Sequence, residues 1–344
     1  MLSTLDAVAT PPLSRAVDGI RLHVVTGKGG VGKTSVAAAL ALALTRSGKR
    51  VLLVEVESRQ GISQTFDVPP LGIDEVRLVS HADGGELWGL SVDAKAALLE
   101  YLHSFYKLGR AGGALEKMGV IDFATTIAPG VRDVLLTGKV YEAVGRTTGH
   151  KRGQGPKVWD AVVLDAPPTG RVARFLNVNV QVADLARVGP IHSQAESITR
   201  MLRSRQSVVH VVTLLEEMPV QETADAVADL SAAGFGLGAV VVNQVREPLV
   251  DEALLDLAAR EPDRAEERVR ADLAEVGVRT TARTVTGLLA EAHDHAERVA
   301  LELSLADDVA ALGLPRLDLP ALATGIEDGG VAALADELVE QGVR

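Results

Sequence analysis

Residues 26–35 read TGKGGVGKTS, directly after a short run of strand-forming residues, RLHVV (21–25). From Gly27 to Thr34 they fit the phosphate-binding pattern G-x-x-x-x-G-K-[ST]. Glycines at 27, 29, 30 and 32 let main-chain N–H groups of the loop, with Val31 among them, turn inward around phosphates with no Cβ in the way. The helix that starts behind them adds roughly half a positive charge at its N-terminus. Lys33 then reaches the terminal phosphates of ATP, the Thr34 hydroxyl holds Mg²⁺, and Ser35 completes the cradle. This loop constrains the fold because it works only between a strand and a helix. The sequence supplies both: an Ala/Leu helix over 33–46 is stopped by Ser47-Gly48-Lys49, and RVLLVEVE (50–57) follows as a buried strand. The result is one βαβ unit with parallel strands.

Further strands are expected at 85–92, 159–166, 207–214 and 237–244, with helical patterns between them, and 312–320 reads as extended. That alternation predicts an α/β fold with a doubly wound, mostly parallel sheet. A stretch without strand signal, 93–150, and a second piece at 178–205 read as an inserted helical subdomain over the functional edge of the sheet. TGK in LLTGKV (135–140) lacks surrounding glycines and reads as helix. Residues 250–311 are charged, amphipathic and helical in pattern, and 330–341 reads as a last helix. Residues 1–18 read as a flexible leader, and 19–344 as one nucleotide-binding domain. With 47% hydrophobic residues but only 3% aromatics, the core must be built of Ala, Val and Leu. The net charge of −11 argues against nucleic acid as a partner. The N-terminus lacks the basic start and apolar run of a signal peptide, and no apolar run is long enough to span a bilayer, so a cytoplasmic protein is expected.

The pattern needs one lysine, yet Lys28 stands directly after the first glycine. A lysine in the loop projects away from its own nucleotide, so its natural target is a nucleotide held by a facing subunit. There it acts as an arginine finger does, neutralising charge as the phosphoryl group leaves. KGGVGKTS resembles the deviant Walker A loop of the MinD, ParA and arsenical-pump ATPase class. Within that class, VVLDAPPTGRVARFL (162–176) resembles switch II of the arsenical-pump ATPase and tail-anchored-protein targeting family. LLEEMPVQETADAVADLSAAGFGLGAVVVNQV (214–245), APGVRDVLL (128–136) and LPRLDLPALATGIEDGGVAALADEL (314–338) are similar to that family as well. The resemblance covers residues 20–340 and is nearest to cysteine-free, single-module bacterial members described as anion-transporting ATPases. It implies a dimeric ATP-driven switch, formed with an identical or a paralogous subunit, whose signature lysine works across the dimer.

Asp165 ends the apolar run AVVLD, where an acid holds the magnesium shell, usually through water. The resemblance assigns two more positions. The switch I stretch reads ESRQGISQTF, with Glu57 in the place of the family's water-orienting aspartate and Ser58 in the place of its proline. The longer side chain puts hydrolysis rate in question, because a misplacement of about 1 Å costs on the order of 100-fold. Asn243, ending AVVVN, corresponds to the residue that pairs with the adenine edge. Glu55 shares a strand face with Glu57, and no role for it follows from the sequence.

The chain has no cysteine, which removes the thiolates of arsenite sites and of a dimer-clamping zinc. Only four methionines are present, too few for the methionine-lined groove of the targeting factors. Residues 330–344 carry Asp336, Glu337 and Glu340 and lack the basic amphipathic helix a membrane binder needs. The reading is a Mg²⁺-dependent ATPase that couples nucleotide state to a protein client or a membrane partner held by the helical subdomain. The alternative is a weakly hydrolysing regulatory or scaffold subunit paired with a catalytic paralogue.

Overall fold

In the computed structural model of the chain, residues 12–56, 60–94, 96–97, 129–149, 154–185, 190–247, 252–279, 281–323, 325–327 and 329–344 are described. The strands are β1 (Leu22–Gly27), β2 (Arg50–Glu55), β3 (Val76–Ser80), β4 (Glu86–Ser91), β5 (Ala161–Asp165), β6 (Ser207–Thr213), β7 (Leu237–Val245) and β8 (Arg316–Pro320). They form one eight-stranded sheet in the order β3-β4-β2-β5-β1-β6-β7-β8. Every neighbouring pair is parallel except β3 with β4.

The central strands are buried on both faces, and their alternation shows in where each residue goes. Val51 and Leu53 of β2 and Ala161 and Val163 of β5 join a core on one side of the sheet. Leu52, Val54, Val162 and Leu164 join the core on the other side. The first core is filled by helix α2 (Lys33–Thr45), which is buried all round from Val36 to Thr45. Its alanines let it lie close to the sheet, and a C-terminal helix, Gly330–Glu340, covers its outer face through Val331, Leu334, Ala335 and Leu338. The leader contributes to this core too. Its end forms one helical turn, α1 (Ser14–Val17), with Ala16 and Val17 buried.

A short helix α3 (Gly61–Thr65) follows β2. The second core takes α4 (Pro129–Gly145), α5 (Thr169–Leu185) and α6 (Pro190–Leu202). TGK of LLTGKV lies inside α4. The remainder of the stretch read as subdomain, 98–128, lies outside the described residues. The second helical piece begins earlier than its sequence pattern, at Thr169, because Pro168 offers its carbonyl to the amides of Arg171 and Val172 and so opens the helix itself. After β6 come α7 (Glu217–Ala232), then β7, then three helices: α8 (Glu252–Arg260), α9 (Pro262–Glu275) and α10 (Ala282–Ala311). These last three are the charged segment read as helical. Leu305 and Val309 of α10 pack with Val220 of α7 and Val240 and Val242 of β7. The extended segment 312–320 becomes β8, and Gly330–Glu340 is α11.

Strand β3 is absent from the sequence reading. Its residues are exposed or half-buried, only Leu78 and Val79 touch the first core, and it sits at the sheet edge, antiparallel to β4.

Two buried histidines face each other on neighbouring strands in the middle of the sheet. His23 of β1 and His210 of β6 stack, with Nδ1 of His23 3.1 Å from Nε2 of His210. The amide of Ala239 donates to His210 Nδ1, so the His210 proton is on Nε2 and points at His23. Burial drives both pKa values down, His210 to about 4 and His23 well below its ordinary value, where the neighbouring His210 adds to the effect. Both rings are neutral in the fold, while the unfolded chain protonates them near pH 6.5. Stability is therefore complete above that pH and is lost as pH falls from about 6.5 towards 4. For His210 alone this amounts to about 3 kcal/mol. Urea titrations at pH 7 and pH 4.5 should show the loss, and the pair His23→Leu/His210→Leu should reduce the slope. An unchanged slope in that variant would exclude the pair as its source.

Candidate functional site

Four strands bring their C-terminal ends to one edge: Gly27 of β1, Glu55 of β2, Asp165 of β5 and Asn243 of β7. This is the edge at which open α/β sheets bind ligands. Gly30 and Gly32 of the loop between β1 and α2 hold left-handed φ angles of 90° and 85°. Two glycines are also fixed by space. A Cβ on Gly27 would lie 2.3 Å from the Val212 carbonyl oxygen, and one on Gly32 would lie 2.4 Å from Asn243 Nδ2. Val31 is buried and anchors the loop in the core between them, while Gly29 has open space around it. Gly32 precedes the first helical residue, so the amides of Lys33, Thr34 and Ser35 face the loop without acceptors inside the helix. Lys33 arches back over the loop and donates from Nζ to the Lys28 carbonyl at 3.1 Å. Thr26 Oγ1 donates to the Pro167 carbonyl at 2.7 Å, tying the loop's start to the Pro-Pro turn after β5.

Thr34 and Asp165, far apart in sequence, meet here. Thr34 Oγ1 donates to Asp165 Oδ2 at 2.6 Å. Glu55 is the residue that sequence reasoning left without a role. It is buried, stands beside Asp165 in the β2–β5 register, and accepts from the amides of Gln60 at 2.8 Å and Ile62 at 3.2 Å. Its carboxylate thus pins the start of α3, the segment just after Ser58. Gly61 stands between: its Cβ position is 3.5 Å from both Glu55 Oε2 and Thr34 Oγ1. The Thr34 hydroxyl and the Asp165 carboxylate are a pair of oxygen donors, the ligand type that suits Mg²⁺. A clue was available in RVLLVE, an acid closing a strand buried on both faces, where a charge needs specific partners. Glu57 lies outside the described residues.

Lys28 leaves the loop sideways. Its Nζ is 2.9 Å from Glu222 Oε1 on α7, with both side chains about a third exposed. The second oxygen of Glu222 accepts from Thr169 Oγ1 at 3.3 Å, at the first residue of α5. Glu222 escaped the sequence reading because QETADAV reads as an ordinary exposed helix face.

Asn243 is buried and donates from Nδ2 to the Val31 carbonyl at 2.9 Å. It braces the loop from below. Its Oδ1 and second N–H are what remain for the adenine contact expected from the sequence. Gln244, next in the chain, has a φ of 57°, and the β7–β8 register breaks between Val242 and Val245.

Among the described residues no helix is long and apolar enough to cross a membrane, and no three or more His, Asp or Glu side chains are grouped so as to hold a metal ion.

The family model for anion-transporting ATPases matches residues 20–204. Over 329 residues, 95% of each chain, the sequence is 47% identical to ATPase BagA of Mycobacterium tuberculosis. It is 27% identical over 277 residues to a Chlorobaculum tepidum protein provisionally named an arsenical pump-driving ATPase, covering 69% of this chain and 64% of that one. To ATPase get3 of Pyrenophora tritici-repentis it is 26% identical over 297 residues, 74% of this chain and 83% of the other.

Proposed function

Because this chain belongs to the anion-transporting ATPase family, we propose that it is a Mg²⁺-dependent ATP hydrolase working as a dimeric switch. The observation that carries the reading is the Thr34–Asp165 bond beside the loop, which sets a magnesium-type oxygen pair at the open end of a phosphate cradle. The loop amides and Lys33 bind the phosphates. Thr34 and Asp165 would hold the ion, and Glu55 keeps switch I in register with them. Bound Mg²⁺ supplies neutralisation of phosphate charge. Lys28 serves the nucleotide of the facing subunit, and Glu57 orients water. The helices over the site edge pass the nucleotide state to a protein client or a membrane-associated partner. The facing subunit is a second copy of this chain or a paralogue. With no thiolate in the chain, arsenite and zinc are not part of the cycle.

Calorimetry with Lys33→Ala tests the assignment. Loss of a charge-assisted phosphate contact should weaken Mg·ATP binding at least ~30-fold, about 2 kcal/mol. Unchanged affinity would remove the loop from the nucleotide site.

A further inference from the structure

Lys28 has one anionic partner among the described residues, and that partner holds two segments at once. Glu222 takes the Lys28 ammonium on one carboxylate oxygen at 2.9 Å and the Thr169 hydroxyl on the other at 3.3 Å. Three elements converge on this carboxylate: the phosphate loop, the first residue of the helix after Asp165-Ala166-Pro167-Pro168, and α7. The packing of α7 fixes the carboxylate's place, since Pro219, Val220, Thr223, Ala226 and Leu230 are all buried. We propose that Glu222 is a positioning residue for Lys28, holding its ammonium within its own subunit until a nucleotide on the facing subunit competes for it. The proposal rests on the reading of Lys28 as a group acting across the dimer.

In this proposal the ammonium gives up its short contact with Glu222 when it enters a phosphate site on another chain. Engagement across the dimer therefore requires the pair to break. The break changes Thr169 too, because Glu222 is then free to move its remaining interaction, and Thr169 begins the helix that follows the metal-binding acid. One carboxylate so links departure of the signature lysine to the start of switch II. The pair is partly exposed, and such pairs contribute up to about 1 kcal/mol. The restraint is consequently weak enough for a nucleotide to overcome.

The test uses the full chain and the near-isosteric variant Glu222→Gln, which keeps an acceptor for Thr169 and loses the charge. In nucleotide-free protein, acetylation of Lys28 by an N-hydroxysuccinimide ester is followed by peptide mass spectrometry, with the other lysines as internal controls. Lys28 should be modified a few-fold faster in Glu222→Gln than in the parent. The ATP-driven dimerisation constant, from light scattering, should rise by up to about 30-fold, because two restraints of up to about 1 kcal/mol each are lost per dimer. Glu222→Ala should shift both readouts the same way and covers the case of a poorly folding amide variant. Equal Lys28 labelling in parent and variants overturns the restraint, whatever dimerisation does. Faster labelling with unchanged or weaker dimerisation overturns its bearing on the trans contact. If Lys28→Ala itself leaves ATP-driven dimerisation untouched, it is the dimer reading that fails, a result distinct from either.

Discussion

Lys28→Ala should bind Mg·ATP within a factor of a few of the parent and lose about 10³-fold in turnover, the lower range for a cation supplied in trans to phosphoryl transfer. Binding survives because Lys33, the loop amides and the Thr34–Asp165 pair remain; the hydrogen bond from Lys33 goes to the Lys28 main-chain carbonyl, which alanine keeps. Turnover fails because the charge that offsets the leaving phosphoryl group is gone. Calorimetry and steady-state hydrolysis on the same preparation separate the two effects. Binding and turnover falling together would instead place Lys28 in its own subunit's pocket.

Gly32→Ala is expected to damage the loop through both backbone angle and contact. Alanine at a φ of 85° costs about 1–2 kcal/mol. Its Cβ also meets Asn243 Nδ2 at 2.4 Å, so the bond from Asn243 to the Val31 carbonyl must break, at about 1–3 kcal/mol for a buried group left unpaired. A loss of roughly 3 kcal/mol in urea unfolding, together with nucleotide binding, is the expected result. The steric part can be isolated. In an Asn243→Ala background the clash is absent, so Gly32→Ala should cost less there. Equal cost in both backgrounds would show that the backbone angle alone is responsible.

How much of this was readable depends on where each signal lies. The phosphate loop is contiguous, so its glycines, Lys33 and Thr34 stand out in the bare sequence. The central strands were legible because both faces are buried and their residues are mostly Val, Leu and Ala, with His23 in β1 and His210 in β6 among them. β3 was not, since an edge strand such as VRLVS carries no burial pattern. Asp165 was legible as an acid closing an apolar strand, and Glu55 closes β2 in the same manner, but the larger motif nearby drew the reading to Glu57. What makes Glu55 part of the site is the return of residues 60–62 onto its carboxylate, a tertiary event. Glu222 is the clearest case. Its partners lie in the loop and at the start of α5, and the local sequence of α7 holds no trace of either.

Two inactive variants, mixed, test most directly whether the lysine acts across the dimer. Lys28→Ala subunits keep an intact pocket but lack the trans cation. Lys33→Ala subunits have a disabled pocket but keep Lys28. With mixed dimers verified by crosslinking, action in trans predicts that turnover returns to roughly a quarter of the parent rate, because half of randomly paired dimers would hold one complete site of two. Mixed dimers that form and remain as inactive as either variant alone would contradict the account.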